Sequence, residues 1–454
     1  MTAAAHLAQA AAATTWRETP QEVRDQAADL ILDAFAVIAA GGKDAAYSTY
    51  TEMSARGDGS CTVIGHARKT SAAAAALVNG GATTVLQLQD GHRIARGHPA
   101  AHVVPAAFAI AEETNASAED FLGAFVAGYE SAARIGASLG GLQPDLHDAG
   151  TWSTMGAAAA AAYLLERDPA VIENALDGAA AFALMGWSRT APQGAGIHHL
   201  FIGLAASSGI TAAYASVAGL NAIPGTIEKF FGPRAGAKFD ASVLENGIAD
   251  GRWSHYELMH AYMKVHPTCA HLHGLNDAVA QLITEHEVRG DDVARVDIAT
   301  YHHALVYDNH APETELGARF SAAFTTAIAL QRGKLDEDAV TMAMLADPAV
   351  RSLAARTIVR HDPALDQYYP AGRPARVTLE MKDGRVLSEF RMHPRGDHTN
   401  PTTRSERRAK ARRLFTSRFG AAQSERIIAA FEQLFAGGSL DCLSAALRGY
   451  DAER

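Results

Sequence analysis

The chain has 454 residues, which is too many for one compact core, so we expect two domains. Apolar residues make up 48% of the chain and charged residues 20%, a composition typical of a soluble globular protein. The formal net charge of −10 argues against a nucleic-acid-binding surface, because such surfaces are basic. Three scattered cysteines, no basic leader and no unbroken apolar run of about 18 residues predict a cytoplasmic protein without disulfides, secretion signal or membrane span.

The first part of the chain, to about residue 265, has a helical pattern. Apolar residues recur at helical spacing over 22–39 and stop at Gly41-Gly42. The run Ser117-Ala118-Glu119-Asp120 is a capping pattern for a helix over 118–139. Other segments are rich in alanine and glycine, which let helix backbones approach closely, so we expect a tightly packed bundle. These segments cover residues 70–78, 156–166 and 205–218.

A mixed pattern follows residue 265. Residues 293–301 alternate and are rich in β-branched side chains, which predicts a strand. Asp383-Gly384 separates two further alternating runs, which predicts a hairpin. The runs of the hairpin cover 376–380 and 385–391, and the helices predicted between these strands cover 319–332 and 337–344.

From 403 to 447 the chain returns to a helical pattern. We therefore predict a mainly α protein with an α+β second domain. The large all-helical domain is discontinuous and consists of residues 1–265 and 400–454. The smaller α+β domain, residues 266–399, is inserted in it.

Two histidines precede prolines, in His98-Pro99 and His266-Pro267. Because proline suits the first position of a helix, each pair predicts a helix start. The positive end of the helix dipole favours a neutral imidazole there, and neutral imidazole is a usable general base near pH 7. The same helix ends bind carboxylates through unpaired backbone N–H groups. The pattern therefore predicts proton chemistry on an acid substrate.

The loop over 86–98 concentrates amides, a carboxylate, arginines and imidazoles. Loops packed with such groups are more often functional than structural, although a polar surface loop is the plain alternative. Two histidines outside the loop are as compatible with a functional site as with an ordinary surface or core position. The polar groups of the loop are Gln87, Gln89, Asp90, His92, Arg93, Arg96 and His98, and the other two histidines are His147 and His198.

Several other kinds of site are poorly supported. The chain has no Gly-x-Gly-x-x-Gly after a strand, no phosphate loop and no Gly-x-Ser-x-Gly, so nucleotide cofactors and serine-esterase chemistry are not expected. The basic run over 404–413 is typical of a solvated helix face, with nucleic-acid binding as the alternative. A zinc cluster is a further alternative, although its spacing differs from the usual zinc motifs. Its ligands would be His266, Cys269, His271 and His273.

The order and spacing of several segments resemble the MmgE/PrpD family, which includes 2-methylcitrate dehydratase, cis-aconitate decarboxylase and iminodisuccinate epimerase. The resemblance covers nearly the whole chain. It implies a large discontinuous helical domain with an inserted α+β lid domain, homodimers, and chemistry on small di- and tricarboxylates without metal or cofactor. The segments that carry it are Leu32-Asp33-Ala34, Val78-Asn79-Gly80, 87–105, 151–158, 264–269 with His273 and Asp277, and 393–401.

The family's functional positions are partly retained. Its Leu-Asp-Phe-Asp-Asp-Thr-His motif falls on 86–92, where Gln87 and Gln89 replace the first two aspartates and Asp90 remains. The family's active-site lysine falls on His198, and a tyrosine of the following domain falls on Phe324. The three histidines of the family are intact, at His98, His147 and His273.

The resemblance implies proton abstraction next to a carboxylate, with His98 or His147 as the base and the other, or His273, as the acid. Arg96 is the candidate to replace the lost lysine, and it would hold substrate carboxylates together with Lys264. Asp90 is a further candidate catalytic residue. Further candidates for substrate binding are Gln87, His92 and His198.

A hydro-lyase of the 2-methylcitrate dehydratase type is the first expectation. An epimerase of the iminodisuccinate type is the alternative, and a non-catalytic carboxylate-binding homologue is a further one. The expected ligand is a small di- or tricarboxylate, with no metal, cofactor, nucleic-acid partner or membrane, and the expected assembly is a homodimer.

Overall fold

The computed structural model describes residues 1–449, and it is mainly helical with a small mixed sheet in its C-terminal region, which confirms the predicted fold class. The helices before residue 265 are α1 Ala3–Ala13, α2 Gln21–Gly41, α3 Ala45–Ser54, α4 Ala72–Ala82, α5 Pro99–Glu113, α6 Ala118–Ser138, α7 Ser153–Leu165, α8 Pro169–Ala181, α9 Leu200–Val217 and α10 Gly232–Ala235. The same region holds short paired strands, β1 Cys61–Thr62, β2 Lys69–Thr70, β3 Gly91–His92, β4 Ile248–Ala249, β5 Arg252–Trp253 and β6 Ala261–Tyr262.

Small residues allow these helices to pack at short range. Helix α7 is buried along most of its length and contacts α5, α6, α8 and α9. A Cβ on Gly156 of α7 would lie 2.7 Å from the carbonyl oxygen of Gly128 in α6. A Cβ on Gly203 of α9 would lie 2.0 Å from the carbonyl oxygen of Leu77 in α4. The helices can therefore approach this closely only because glycine occupies these positions.

The α+β region forms a second hydrophobic core around one four-stranded sheet. The strands of this sheet are β7 Val293–Thr300, β8 Thr357–His361, β9 Ala375–Met381 and β10 Val386–Arg391. Their order in the sheet is β10-β9-β7-β8, with β7 and β8 parallel and the other pairs antiparallel. The predicted hairpin turn is present, with Gly384 at φ +91°. The helices of this region are α11 His273–His286, α12 Glu315–Arg319, α13 Ala322–Arg332, α14 Met342–Ala346 and α15 Pro348–Ala355.

The last helices return to the first core. Lys410 forms a buried ion pair with Asp33 of α2, with 2.7 Å between Nζ and Oδ1. Phe431 packs edge-on against Phe35, with ring centroids 5.2 Å apart. The N- and C-terminal segments of the chain therefore share one helical core. These helices are α16 Arg404–Phe419, α17 Ala421–Phe435 and α18 Leu440–Leu447.

One predicted helix is wrong in its first half. Residues 337–341 are not helical, and α14 begins at Met342 because Thr341 caps it, its hydroxyl accepting a hydrogen bond from the N–H of Met344. The apolar periodicity that predicted this helix begins several residues before the capping residue Thr341. The domain boundaries near residues 265 and 400 stay a prediction.

One helical segment of the described residues, Gly196–Val217, is long and apolar enough to cross a membrane by length and composition, with a mean hydropathy of 1.5. Half of it is buried within the fold. Core helices of soluble proteins meet the same criterion, so this segment is weak evidence for a span.

We expect Gly203→Ala to destabilise the protein by about 1–3 kcal/mol, because the new methyl group would overlap a backbone carbonyl. Gly178→Ala in α8 is the matched control, since its Cβ would meet only ordinary contacts of 3.9–4.0 Å. The control should leave stability unchanged or raise it by up to about 1 kcal/mol through helix propensity. Thermal unfolding followed by circular dichroism measures both, and equal midpoints for the two variants would contradict the close α4–α9 packing.

Candidate active site

A small cavity of about 80 Å³ lies between the helical core and the α+β region. It combines imidazoles, amides, cations, phenols and one carboxylate, drawn from loops of both regions. The lining residues are Gln87, Gln89, Arg96, Gly97, His98, His147, Asp148, His198, Tyr262, Lys264, Cys269, Ala270, His271, Tyr307, Phe320 and Arg373. Of the predicted site residues, the structure therefore brings together Gln87, Arg96, His98, His147, His198 and Lys264.

His98 lies directly before α5, whose first residue is Pro99, as the His-Pro pattern predicts. The first N–H groups of this helix are already occupied, because the Asp90 carboxylate accepts hydrogen bonds from Ala100 at 3.0 Å and Ala101 at 2.9 Å. Burial raises the pKa of Asp90 to about 7. Asp90 is thus a helix cap behind the cavity, and the end of α5 is not free to bind a substrate carboxylate.

The backbone determines which nitrogen of His98 carries the proton. Nδ1 lies 2.5 Å from the carbonyl oxygen of Asp90. A carbonyl only accepts, so Nδ1 donates, and in the neutral ring Nε2 holds a free lone pair. Burial lowers the pKa of His98 to about 3, which favours the neutral form. The free Nε2 is 3.6 Å from Oδ2 of Asp148.

His147 is held in the opposite tautomer. The backbone N–H of Ala149 donates to its Nδ1 at 3.0 Å, so the proton of the neutral ring is on Nε2. Burial lowers the pKa of His147. His102 joins the two loops, because it donates from Nδ1 to the carbonyl of His98 and accepts from Gly150 at Nε2. In the neutral state, His98 therefore offers the cavity a free lone pair, and His147 offers it a free N–H.

Asp148 is the only carboxylate among the described lining residues, and sequence reasoning missed it. Its Oδ1 lies 3.3 Å from Nδ1 of His147, and its Oδ2 has no hydrogen-bond partner. Burial acts to raise the pKa of Asp148, but the imidazoles of His147 and His98 lower it below its usual value. Its position next to His147 in the sequence was the available signal.

Three cations line the cavity. Lys264 is buried, donates to the carbonyl of Gln87 at 3.1 Å, and has a pKa lowered by burial to about 8. Arg96 has the left-handed φ of +59° and places its guanidinium over the ring of Tyr369, 5.3 Å from the centroid. Arg373 was not predicted and comes from the segment just before β9. With neutral imidazoles, these groups exceed the one carboxylate by two positive charges, which favours a dianionic ligand.

Gln87, Gln89 and His198, which the resemblance aligns with charged positions of the family, all line the cavity. Gln87 donates to the carbonyl of Thr84 at 2.7 Å, and its Nε2 lies 3.5 Å from Nε2 of His198. His198 is buried, its Nδ1 has no hydrogen-bond partner, and burial lowers its pKa well below the usual value. This wall of the cavity is therefore uncharged.

Two predicted site histidines lie outside the cavity lining. His92 is fully buried, donates from Nε2 to the carbonyl of Glu257 at 2.9 Å, and accepts from Ala95 at Nδ1. His273 begins α11 beside His266, with 5.6 Å between the ring centroids. Neither is placed for direct contact with a ligand in this cavity. The predicted helix start at His266 is also wrong, because α11 begins only at His273.

Phe324 lies in the second hydrophobic core, and the aromatic groups that line the cavity from this region are Tyr307 and Phe320. Their positions depend on how α12 and the preceding turn pack against the helical core, so local sequence carried no signal for them.

The zinc alternative is not supported by the geometry. His271 is hydrogen-bonded to the Tyr301 hydroxyl at 2.6 Å, and His266 is paired with Asp277 at 2.8 Å. Within residues 1–449, the ligand atoms that converge belong instead to His92, Glu257 and His260. There the N–H of Ala95 occupies Nδ1 of His92, so Nε2 carries the proton and is not a free ligand.

Comparison with known proteins agrees with the architecture. Residues 5–236 match the MmgE/PrpD N-terminal domain, and residues 266–434 match the MmgE/PrpD C-terminal domain. The chain belongs to the MmgE/PrpD family. The family members similar to it include the cis-aconitate decarboxylase-like protein oryM of Aspergillus oryzae, 26% identical over 443 residues and covering 90% of each chain.

A second relative is the cis-aconitate decarboxylase of Aspergillus terreus, 26% identical over 408 residues, which cover 84% of this chain and 82% of the relative. Decarboxylases are lyases, so the named relatives support a lyase-type family for this chain.

We expect the affinity of the cavity for a dianion such as malonate to fall as pH rises above about 8, where unliganded Lys264 loses its proton. A ligand that needs the charged form must then bind with a proton, so affinity falls by up to about tenfold per pH unit. Calorimetry from pH 7.5 to 9.5 measures this. Lys264→Met should bind weakly with little pH dependence, and an unchanged slope in this variant would assign the titration to another group.

Proposed function

We propose that the protein is a lyase that acts on a small di- or tricarboxylate, and that it decarboxylates an unsaturated tricarboxylate of the cis-aconitate type. The observation that carries the proposal is the backbone-held His98, whose free Nε2 faces Asp148 in a cavity with excess positive charge. The names of two relatives, each aligned over 82% or more of its length, favour decarboxylation.

His98 is proposed as the proton carrier. A bound polyanion next to the ring raises the pKa of the imidazole, and Asp148 acts as the counter-ion of the protonated form. Protonated His98 then donates from Nε2 to the alkene carbon next to a carboxylate. The π electron pair forms this C–H bond, the bond to the leaving carboxylate breaks, its electron pair forms the new double bond, and carbon dioxide leaves. Neutral His98 regains its proton from water.

His147 is proposed as a fixed hydrogen-bond donor. Its Nε2–H and the cations Arg96 and Lys264 would hold the substrate carboxylates and stabilise the charge that shifts between them. Neutral imidazole is a weak acid, so His147 orients and stabilises without giving up its proton. In this proposal protein groups alone supply the electrostatic stabilisation.

A hydro-lyase reaction on a 2-methylcitrate-like substrate is the second candidate. Neutral His98 with a free lone pair is the form that proton abstraction requires. In that reaction His98 would remove the proton next to a carboxylate and return it to the leaving hydroxyl group.

Proton NMR in D2O separates the candidates. With cis-aconitate we expect carbon dioxide release and a product that has a terminal vinylidene group and one deuterium at the protonated carbon. A new alkene from 2-methylcitrate, with cis-aconitate unchanged, would establish the hydro-lyase instead. Deuterium exchange without a new product would indicate an epimerase, and no change with a full panel of di- and tricarboxylates would contradict lyase function.

We expect His98→Asn to lower kcat by about 10²–10⁴-fold, because its amide can still donate to the Asp90 carbonyl while the proton-carrying Nε2 is lost. For decarboxylation, the wild-type kcat should fall as pH rises, since His98 must be protonated, whereas proton abstraction predicts a rise. The exposed His286→Gln is the control and should keep wild-type rates. Near-normal turnover by a folded His98→Asn would reject the assigned role.

A further inference from the structure

Arg373 is a buried cation that forms no ion pair with any carboxylate of residues 1–449. The residue is 4% exposed, and its Nε and Nη1 have no hydrogen-bond partner in that part of the chain. The neighbouring groups that interact with it electrostatically include the phenols of Tyr262, Tyr301 and Tyr369 and the thiol of Cys269. Tyr262, Tyr301 and Cys269 are neutral near pH 7, because burial raises the pKa of each. A buried guanidinium in such surroundings is costly unless an anion joins it.

The nearby Arg93 is a buried guanidinium whose charge is paired, although its Nε and Nη1 also have no hydrogen-bond partner among the described residues. Arg93 lies over one ring, Tyr262, at 4.6 Å, and Arg373 lies over the same ring at 5.9 Å. Arg93 forms a buried ion pair with Asp397. The fold thus supplies a carboxylate to one arginine of the pair and leaves the other facing the cavity.

The backbone holds Arg373 in this place. Its N–H donates to the carbonyl of Met392 at 3.0 Å, and its own carbonyl packs so closely on α11 that a Cβ on Gly274 would lie 2.3 Å from the oxygen. The backbone of Arg373 is therefore held in a fixed position two residues before β9.

We propose that Arg373 is the specificity-determining receptor for a second carboxylate of the substrate, bound through the planar fork of the guanidinium. The inference rests on the proposed function for the identity of the ligand. It adds the residue that binds the second carboxylate of that ligand. Arg96 and Lys264 belong to the helical region, whereas Arg373 belongs to the α+β region. A ligand with two or more carboxylates therefore joins both regions across the cavity, and a monocarboxylate does not.

Calorimetry with tricarballylate, succinate and butyrate tests the proposal without requiring turnover, because these saturated acids lack the reacting double bond. Wild type should bind the tri- and dicarboxylate at least tenfold more tightly than the monocarboxylate. Arg373→Met should lose at least tenfold in affinity for the first two and change little for butyrate. Arg373→Lys keeps the charge but not the fork, and should be intermediate. Arg376→Met, at an exposed arginine three residues further along the chain in β9, is the matched control and should bind like wild type.

Each other result overturns the assignment. Equal discrimination by Arg373→Met and wild type would show that Arg373 does not read the second carboxylate. Failure of wild type to bind any polycarboxylate would reject the receptor, and equally tight, Arg373-dependent binding of inorganic phosphate would make it a phosphate site. Circular dichroism confirms folding, and if Arg373→Met does not fold, Arg373→Lys decides the question.

Turnover failure is a separate outcome. If Arg373-dependent binding of tricarballylate occurs but no substrate is converted, the receptor stands and the lyase proposal fails. If a substrate is converted, Arg373→Met should raise KM for it with a smaller change in kcat, as expected for lost binding that is shared by ground and transition states.

Discussion

The start of helix α5 is the constraint on which the site depends. Asp90 satisfies the first N–H groups of the helix with its carboxylate, and its carbonyl accepts the Nδ1 proton of His98. One residue therefore both caps the helix and selects the tautomer of the imidazole in front of it. The Nε2 that we propose as the proton carrier is thereby held in one orientation before a substrate binds, so little freedom is lost on binding. In this proposal, a carboxylate behind the cavity affects the chemistry inside it.

The second constraint is charge balance. The cavity has three cations and one carboxylate, and its imidazoles are kept neutral by burial. Such a site is unfavourable for the free protein and favourable for a polyanion, because the ligand supplies the missing negative charge in a region of low dielectric. The binding energy of a polycarboxylate and the protonation of His98 are coupled for the same reason.

The expected departures from the family motif bear on this balance. The resemblance implies that Gln87, Gln89 and His198 stand where the family has two aspartates and a lysine. In this structure the carboxylate of the cavity comes from Asp148, 3.6 Å from His98, and Arg96 is one of its cations. The charges of this cavity are therefore supplied by residues outside the substituted motif positions.

Local sequence determined the helical class, the cap at Ser117, the helix start after His98 and the hairpin at Asp383-Gly384, because periodicity, capping and turn chemistry act over a few residues. It also identified the polar loop that lines the cavity. Tertiary structure alone decided which of these groups meet. Arg373 reaches the cavity from the segment before β9, more than 200 residues after Asp148, and no short-range pattern carries that contact. The same packing places His92 and His273 outside the lining. The backbone partners that give His98 and His147 opposite tautomers, Asp90 and Ala149, are close in sequence, but the loop conformation and not the residue type decides which ring nitrogen each partner meets.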